Sequence, residues 1–203
     1  MRTSLLTIIC GTAVAAAACV PNTYYSATDP YVIGLRWYDR GVEGEAGRLP
    51  GLTKSPSEFY ETAVRYWEPL LAKDDCDAEY MMGTVYFLGR GEPQDNAKAL
   101  ALWRKAADGN QQRGQWALGD LYYQGASAFH RCASCGLERD LVMALTWYKL
   151  FEKSAKYDGE KKYLSFIIPK ITAEMTPEQI KTAEGRTQSW KPVPKDCGAR
   201  NLW

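Results

Sequence analysis

Gly83-Thr84-Val85-Tyr86-Phe87-Leu88-Gly89 returns 36 residues later as Gly119-Asp120-Leu121-Tyr122-Tyr123-Gln124-Gly125. A motif recurring at this spacing marks a repeat array, in which each unit is a supersecondary element that buries its apolar face only against its neighbours. The downstream halves recur too. Ala99 is followed by Leu102, Trp103, Ala106 and Ala107, which share one helix face. Tyr66, Trp67, Leu70 and Leu71 stand at the same spacings from Ala63, and Trp147, Tyr148, Phe151 and Glu152 from Ala144, where the last apolar place is lost. Ala63 and Ala99 are again 36 residues apart, whereas Ala99 and Ala144 are 45 apart. The third unit therefore carries nine extra residues, between Gly125 and Asp140. Each unit reads as a helix A with glycine beside bulky apolar residues, a turn, and a helix B with an alanine and tryptophan stripe. In the turn, Gly89 and Gly91 suit a helix end and Pro93 cannot continue a helix.

The segment from Asp77-Ala78-Glu79-Tyr80-Met81-Met82-Gly83 to Trp103-Arg104-Lys105-Ala106-Ala107-Asp108-Gly109 resembles the Sel-one-like repeat (SLR) family, a relative of the tetratricopeptide repeats. The family pattern is Ala, Leu-Gly-x-x-Tyr-x-x-Gly, Asp-x-x-Lys-Ala-x-x-Trp and Ala-Ala-x-x-Gly. The resemblance covers roughly residues 30–156. It implies an all-α fold: a right-handed α-solenoid of about three two-helix units, at about 26–75, 76–110 and 111–156, with C-terminal capping helices and a tail over 157–203. The first unit is degenerate. Gly34 and Trp37 stand where Gly83 and Tyr86 stand, and a longer connection over 41–57 is expected. Thr176-Pro177-Glu178-Gln179 reads as a capped helix start, with Thr176 as N-cap, Pro177 at the first helical position and Gln179 completing a capping box. The last repeat needs such a cap over its stacking face.

Arg2 followed by the apolar run Leu5–Ala18 reads as a secretory leader, too short for a stable membrane span. Ala16-Ala17-Ala18-Cys19 resembles a lipoprotein processing site, with leader 1–18 and Cys19 lipidated; cleavage after Ala18 without lipidation fits the same residues. Val20 rather than Asp after the cysteine implies the outer membrane. The expected location is the periplasm, held by the lipid anchor. The 203-residue chain has 25 basic and 24 acidic residues. That balance excludes a basic field for nucleic acid and a polybasic membrane patch.

Without Cys10 and Cys19, four cysteines remain: Cys76, Cys132, Cys135 and Cys197. Four cysteines allow three pairings. A local Cys132–Cys135 bridge in the inserted loop would leave Cys76 to pair with Cys197. The Cys-x-x-Cys could also be a redox motif, or part of a zinc site with His130, but no βαβ pattern surrounds it and a fourth ligand would have to come from afar. Structural disulfides are expected, with no metal and no cofactor.

No catalytic residue is expected. His130 is the single histidine, and no nucleophile-elbow, phosphate-loop or zinc-protease motif occurs. Glu79 and Asp120 read as solvated helix carboxylates. Some cysteine-rich SLR proteins are associated with β-lactam binding or hydrolysis, but their cysteines bridge the two helices within each repeat, a pattern this chain lacks. The expectation is stoichiometric protein binding. Tyr31, Tyr80 and Trp116, three residues before the motif glycine, read as core. Tyr38, Phe87 and Tyr123, four residues after it, read as a groove edge, although all six could be packing residues. Thr84 and Asp120 read as exposed polar contacts, and the loop at 126–139, with His130 and Arg131, as a second contact. Envelope SLR lipoproteins include immunity proteins against type VI secretion effectors, phospholipases among them, and scaffolds for polysaccharide-secretion machinery. The small size favours the former. An enzyme or binder acting on cell-wall fragments or β-lactams is the competing class.

Overall fold

The computed structural model describes residues 28–49, 51, 53–125, 138–195 and 197. Among them are eight helices and no strand: α1 (Pro30–Glu45), α2 (Pro56–Leu71), α3 (Cys76–Leu88), α4 (Asn96–Asp108), α5 (Gln112–Gln124), α6 (Leu141–Ser154), α7 (Asp158–Thr172) and α8 (Pro177–Ser189). The helices pack as successive pairs, α1 on α2, α3 on α4 and α5 on α6. The pairs stack through α2 on α3 and α4 on α5, and α7 and α8 both rest on α6. The chain is an all-α helical solenoid.

One packing rule builds each pair. The motif glycine of helix A has no side chain, so an aromatic ring from helix B lies directly on its backbone. A Cβ at Gly83 would sit 2.6 Å from Cδ1 of Trp103, and one at Gly34 would collide with the Trp67 indole. The buried indole N–H then needs an acceptor. Trp103 Nε1 donates to the Tyr80 carbonyl at 3.2 Å, and Trp67 Nε1 to the Tyr31 carbonyl at 3.1 Å. Both acceptors stand three residues before the glycine, so the first pair repeats the second in detail. In the third pair Tyr148 takes the tryptophan's place over Gly119.

The motif aspartates close the pairs. The Asp95 carboxylate caps α4 at the Lys98 N–H and that of Asp140 caps α6 at the Met143 N–H, both at 2.9 Å. Their own amides donate to the Tyr86 and Tyr122 carbonyls, again at 2.9 Å. The extra residues of the third unit thus leave its closure unchanged. Gly89 ends α3 in the left-handed conformation, at φ 67°. Thr176 and Gln179 form the capping box of α8. The first connection differs from expectation. Helix α1 continues to Glu45, because Gly41 is an interior packing glycine on which the Tyr60 ring rests, so the connection is only 46–55.

Two buried clusters make up the core. One joins α1, α2 and α3 around Tyr31, Tyr60, Trp67 and Met82; the other joins α4 to α8 around Trp103, Leu118, Tyr148 and Ile171. Tyr80 packs against both. The tail beyond α8 then crosses the second pair. The Val193 N–H donates to the Asp108 carbonyl at 2.8 Å, and Lys195 Nζ lies 2.8 and 3.0 Å from the oxygens of Glu79. Cys197 is bonded to Cys76, 121 residues away in sequence. Glu79 is 1% exposed, so it is a buried carboxylate with a partner, contrary to the solvated helix carboxylate expected. Cys132 and Cys135 lie outside the described residues.

Two stability predictions follow from this packing. Replacing Cys76 and Cys197 by alanine removes closure of a loop of 121 residues and should cost about 4–5 kcal/mol by chain entropy, read as a lower urea midpoint. Gly83→Ala should cost about 1–3 kcal/mol by overpacking. Gly119→Ala should cost less, because its Cβ would meet Tyr148 only at 3.0 Å. Equal losses at the two glycines would refute this account of the packing.

Candidate functional site

The first helices of the pairs, together with α7, present a common face. Two clefts open on it. The first, about 480 Å³, lies between α1 and α3: Leu35, Tyr38 and Asp39 face Tyr80, Met81 and Thr84, and Arg113 of α5 closes it. The second, about 370 Å³, lies between α5 and α7. Gln112, Arg113 and Trp116 form one wall, Gly159, Glu160 and Tyr163 the other, and Phe151 of α6 contributes to the lining. Arg113 lines both clefts, so they adjoin. Its guanidinium stands 5.7 Å from the centre of the Tyr80 ring, and burial holds its pKa below the usual arginine value. Burial, helped by Glu43, raises the Asp39 carboxyl, against the pull of Arg113.

The second cleft is aromatic. Trp116 stacks on Phe151 at 6.4 Å and 20° and meets Tyr163 edge-on at 6.0 Å and 74°. These are favoured arrangements of aromatic quadrupoles. Behind Tyr163 lies a polar cluster. The Tyr163 hydroxyl donates to Asp120 Oδ1 at 2.6 Å, and the Tyr148 hydroxyl donates to the same oxygen. The two phenol oxygens are 3.1 Å apart. Burial raises the Asp120 carboxyl from its ordinary value, although both phenols favour its ionised form.

The structure redistributes the expected contact residues. Tyr38 is a core residue, 7% exposed, with its ring 5.0 Å from Tyr60 and 5.7 Å from Trp67. It also lines the first cleft. Asp120 is not an exposed contact, because the two phenols occupy it. Thr84 lines the first cleft with its hydroxyl bonded to the Tyr80 carbonyl at 3.1 Å. Phe87 lies against Trp103, and Tyr123 lies beneath Arg139 with its hydroxyl 3.5 Å from Glu174. Conversely, Trp116 is 39% exposed rather than core. The error has a geometric cause. Positions three before and four after the glycine are seven apart, so at 3.6 residues per turn they share one stripe. Expectation had placed them on different faces. Arg113 and Tyr163 carry no signal in the sequence, and Phe151, read there as part of the helix B stripe, is both a core residue and part of the cleft lining. Tyr163 lies outside the repeated segments, and no spacing marked it. Cys19, His130 and Arg131 lie outside the described residues. Among the described residues, no group of three or more metal-ligating side chains occurs, and no helix is long and apolar enough to cross a membrane.

The Asp120 cluster predicts a pH effect. Its folded-state pKa is raised, so its contribution to stability is complete below the ordinary carboxylate range and is lost as pH rises through the raised value. Asp120→Asn stays neutral and keeps an acceptor oxygen. The stability of the wild type relative to this variant should therefore fall as pH rises above the ordinary aspartate value of about 4, and level off once the buried carboxyl has ionised, as measured by urea titrations. A constant difference would show that Asp120 ionises as it does in the unfolded chain.

The Sel1 repeat family model matches residues 76–111 and 112–155, the pairs α3–α4 and α5–α6. A solved structure of a protective antigen present in uropathogenic Escherichia coli strains, displaying an SLR fold, is 23% identical with a TM-score of 0.56, over 77% of this chain and 29% of that one. The chain thus spans under a third of that protein, and at this identity the likeness is one of fold. A Sel1 repeat protein from Oxalobacter formigenes is 23% identical with a TM-score of 0.44, over 72% of this chain and 100% of that one. No curated protein matches the chain. Sel1 repeats generally mediate protein–protein interaction and are typically non-enzymatic. Residues 76–155 are thus two Sel1 repeats on two stacked helix pairs, set within an all-α solenoid of the SLR fold.

Proposed function

We propose that this chain is a lipid-anchored envelope protein that binds one protein partner stoichiometrically, on the face formed by α1, α3, α5 and α7. The observation that carries the reading is the pair of adjoining clefts on that face, which share Arg113. Stacked repeats build extended surfaces of this kind. The face combines the exposed Trp116 and the half-buried Tyr80 with a half-buried arginine, the residue types that dominate interface energetics. Cys19 would supply the anchor and the periplasm the location.

The finer proposal is an immunity protein that occupies a type VI secretion effector of the phospholipase type. Such a role needs one tight interface and no chemistry. A short array pinned by its own tail is a pre-organised surface for it, and pre-organisation lowers the entropy cost of binding.

Affinity capture with residues 20–203 from periplasmic extract, read by mass spectrometry, tests this. One toxin-like effector recovered in equal amount, with its lipase activity inhibited on binding, is the expected result. Recovery of polysaccharide-secretion components would make the chain a scaffold instead. Recovery of no protein, together with retention of cell-wall fragments or a β-lactam, would overturn protein binding.

A further inference from the structure

We infer that the cleft between α5 and α7 is an anchor pocket for a single aromatic side chain of the partner polypeptide; this deepens the protein-binding reading and rests on it. Three observations lead there. The first is a comparison between repeats. Tyr31, Tyr80 and Trp116 hold the same place, three residues before the motif glycine. Tyr31 is 1% exposed, Tyr80 is half-buried, and Trp116, the largest of the three, is 39% exposed. The place that the first pair fills with its own core is left open in the third. A new ring entering the cleft would cover the indole that the fold leaves in water, which is favourable by area alone.

The second observation is the chemistry of the cleft. Trp116, Phe151 and Tyr163 offer ring faces and edges, and the polar groups, Gln112, Arg113 and Glu160, come from the first turns of α5 and α7. An aromatic residue in a polypeptide has the matching layout: an apolar ring, and behind it a backbone amide and carbonyl. Arg113 lines the cleft with a guanidinium that carries five N–H donors, a match for that carbonyl, while the Gln112 amide is spent on the Ser154 carbonyl and on Glu160. The Glu160 Oε2 already accepts from the Lys156 and Tyr157 amides and from Gln112, so this side of the cleft is built before any partner arrives. A sugar ring would stack its C–H face on the same side chains, and the trisaccharide arm of the test separates that occupant from a peptide ring. The volume of about 370 Å³ holds one large side chain with adjoining backbone, at the small end of ligand cavities.

The third observation is rigidity. The Tyr163 wall is fixed from behind by Asp120, 2.6 Å away, and by Tyr148 at 3.1 Å. Asp120 is thus a positioning residue: it holds the ring that forms the wall and lies behind that ring. A wall already in place costs the partner little ordering entropy.

The test titrates N-acetyl-tryptophanamide into oxidised protein, residues 20–203, and follows amide and indole N–H shifts by NMR. N-acetyl-alaninamide and a chitin trisaccharide are run alongside. Saturable shifts at Trp116, Gln112 and Tyr163 are expected, with a dissociation constant on the order of millimolar and no saturation by the alanine amide. Trp116→Ala should weaken binding about tenfold or more. Tyr163→Phe keeps the ring, frees it from Asp120, and should weaken binding less. Phe166→Ala, at a side chain 66% exposed outside the cleft, should leave binding unchanged and controls for the loss of any surface ring. The proposal falls if no saturable shift appears, if the shifts lie elsewhere, or if the trisaccharide binds there more tightly. Saturation by the tryptophan amide in a protein that captures no partner would preserve the pocket and remove the protein-binding reading. A captured partner indifferent to Trp116→Ala would preserve that reading and remove this use of the pocket.

Discussion

The fold depends on the contact between a bare glycine backbone on one helix and an aromatic ring on the next. Helices this short are marginal alone, and their stability comes from packing. Gly34 and Gly83 let an indole approach a helix where any Cβ would block it, and each indole N–H then reaches the carbonyl three residues before the glycine. A large apolar area is buried with its one polar hydrogen satisfied. The contact also sets the rotation of each first helix about its axis. Three of the side chains three before or four after the glycine, Tyr38, Tyr80 and Trp116, thereby come to line the two clefts.

The third pair shows what happens when the ring of this contact changes. Tyr148 lies over Gly119 as Trp67 and Trp103 lie over their glycines, but a phenol has no indole N–H. Its hydroxyl finds an acceptor in Asp120, one residue after the glycine. A buried carboxylate with a single donor would be poorly compensated. Tyr163 supplies the second donor, and this ties α7 to α5 by side chains across the cleft. The open space beside Trp116 lies between the two helices so tied. A substitution that looks conservative in the repeat pattern therefore decides where the array stops being regular.

Much of this was legible in the sequence, because the decisive signals are local or periodic. The 36-residue recurrence revealed the helix pairs, and Thr176, Pro177 and Gln179 marked the start of α8. What was not legible depended on three-dimensional closure. Gly41 reads as a helix breaker until the Tyr60 ring is seen resting on it. Tyr38 and Trp116 exchanged their expected roles because two positions seven apart share a stripe, and only the neighbouring pair decides which of them is covered. Glu79 reads as a surface carboxylate, since nothing near it in sequence announces Lys195, 116 residues later.

That last pair also indicates how the tail works. Burial raises the Glu79 carboxyl even with Lys195 against it, so desolvation outweighs the attraction of the ion pair. The disulfide closes the tail onto the start of α3. A disulfide alone, however, restrains only one point of a segment. Lys195 and the Val193 amide fix two more, at Glu79 and at the Asp108 carbonyl, so the tail lies across the second pair in a single register. Removing Lys195 alone would leave Glu79 buried without its cation, an expensive state. The tail must therefore dock as a unit, and the second pair, where both core clusters meet at Tyr80, is held at its ends as well as along its helices.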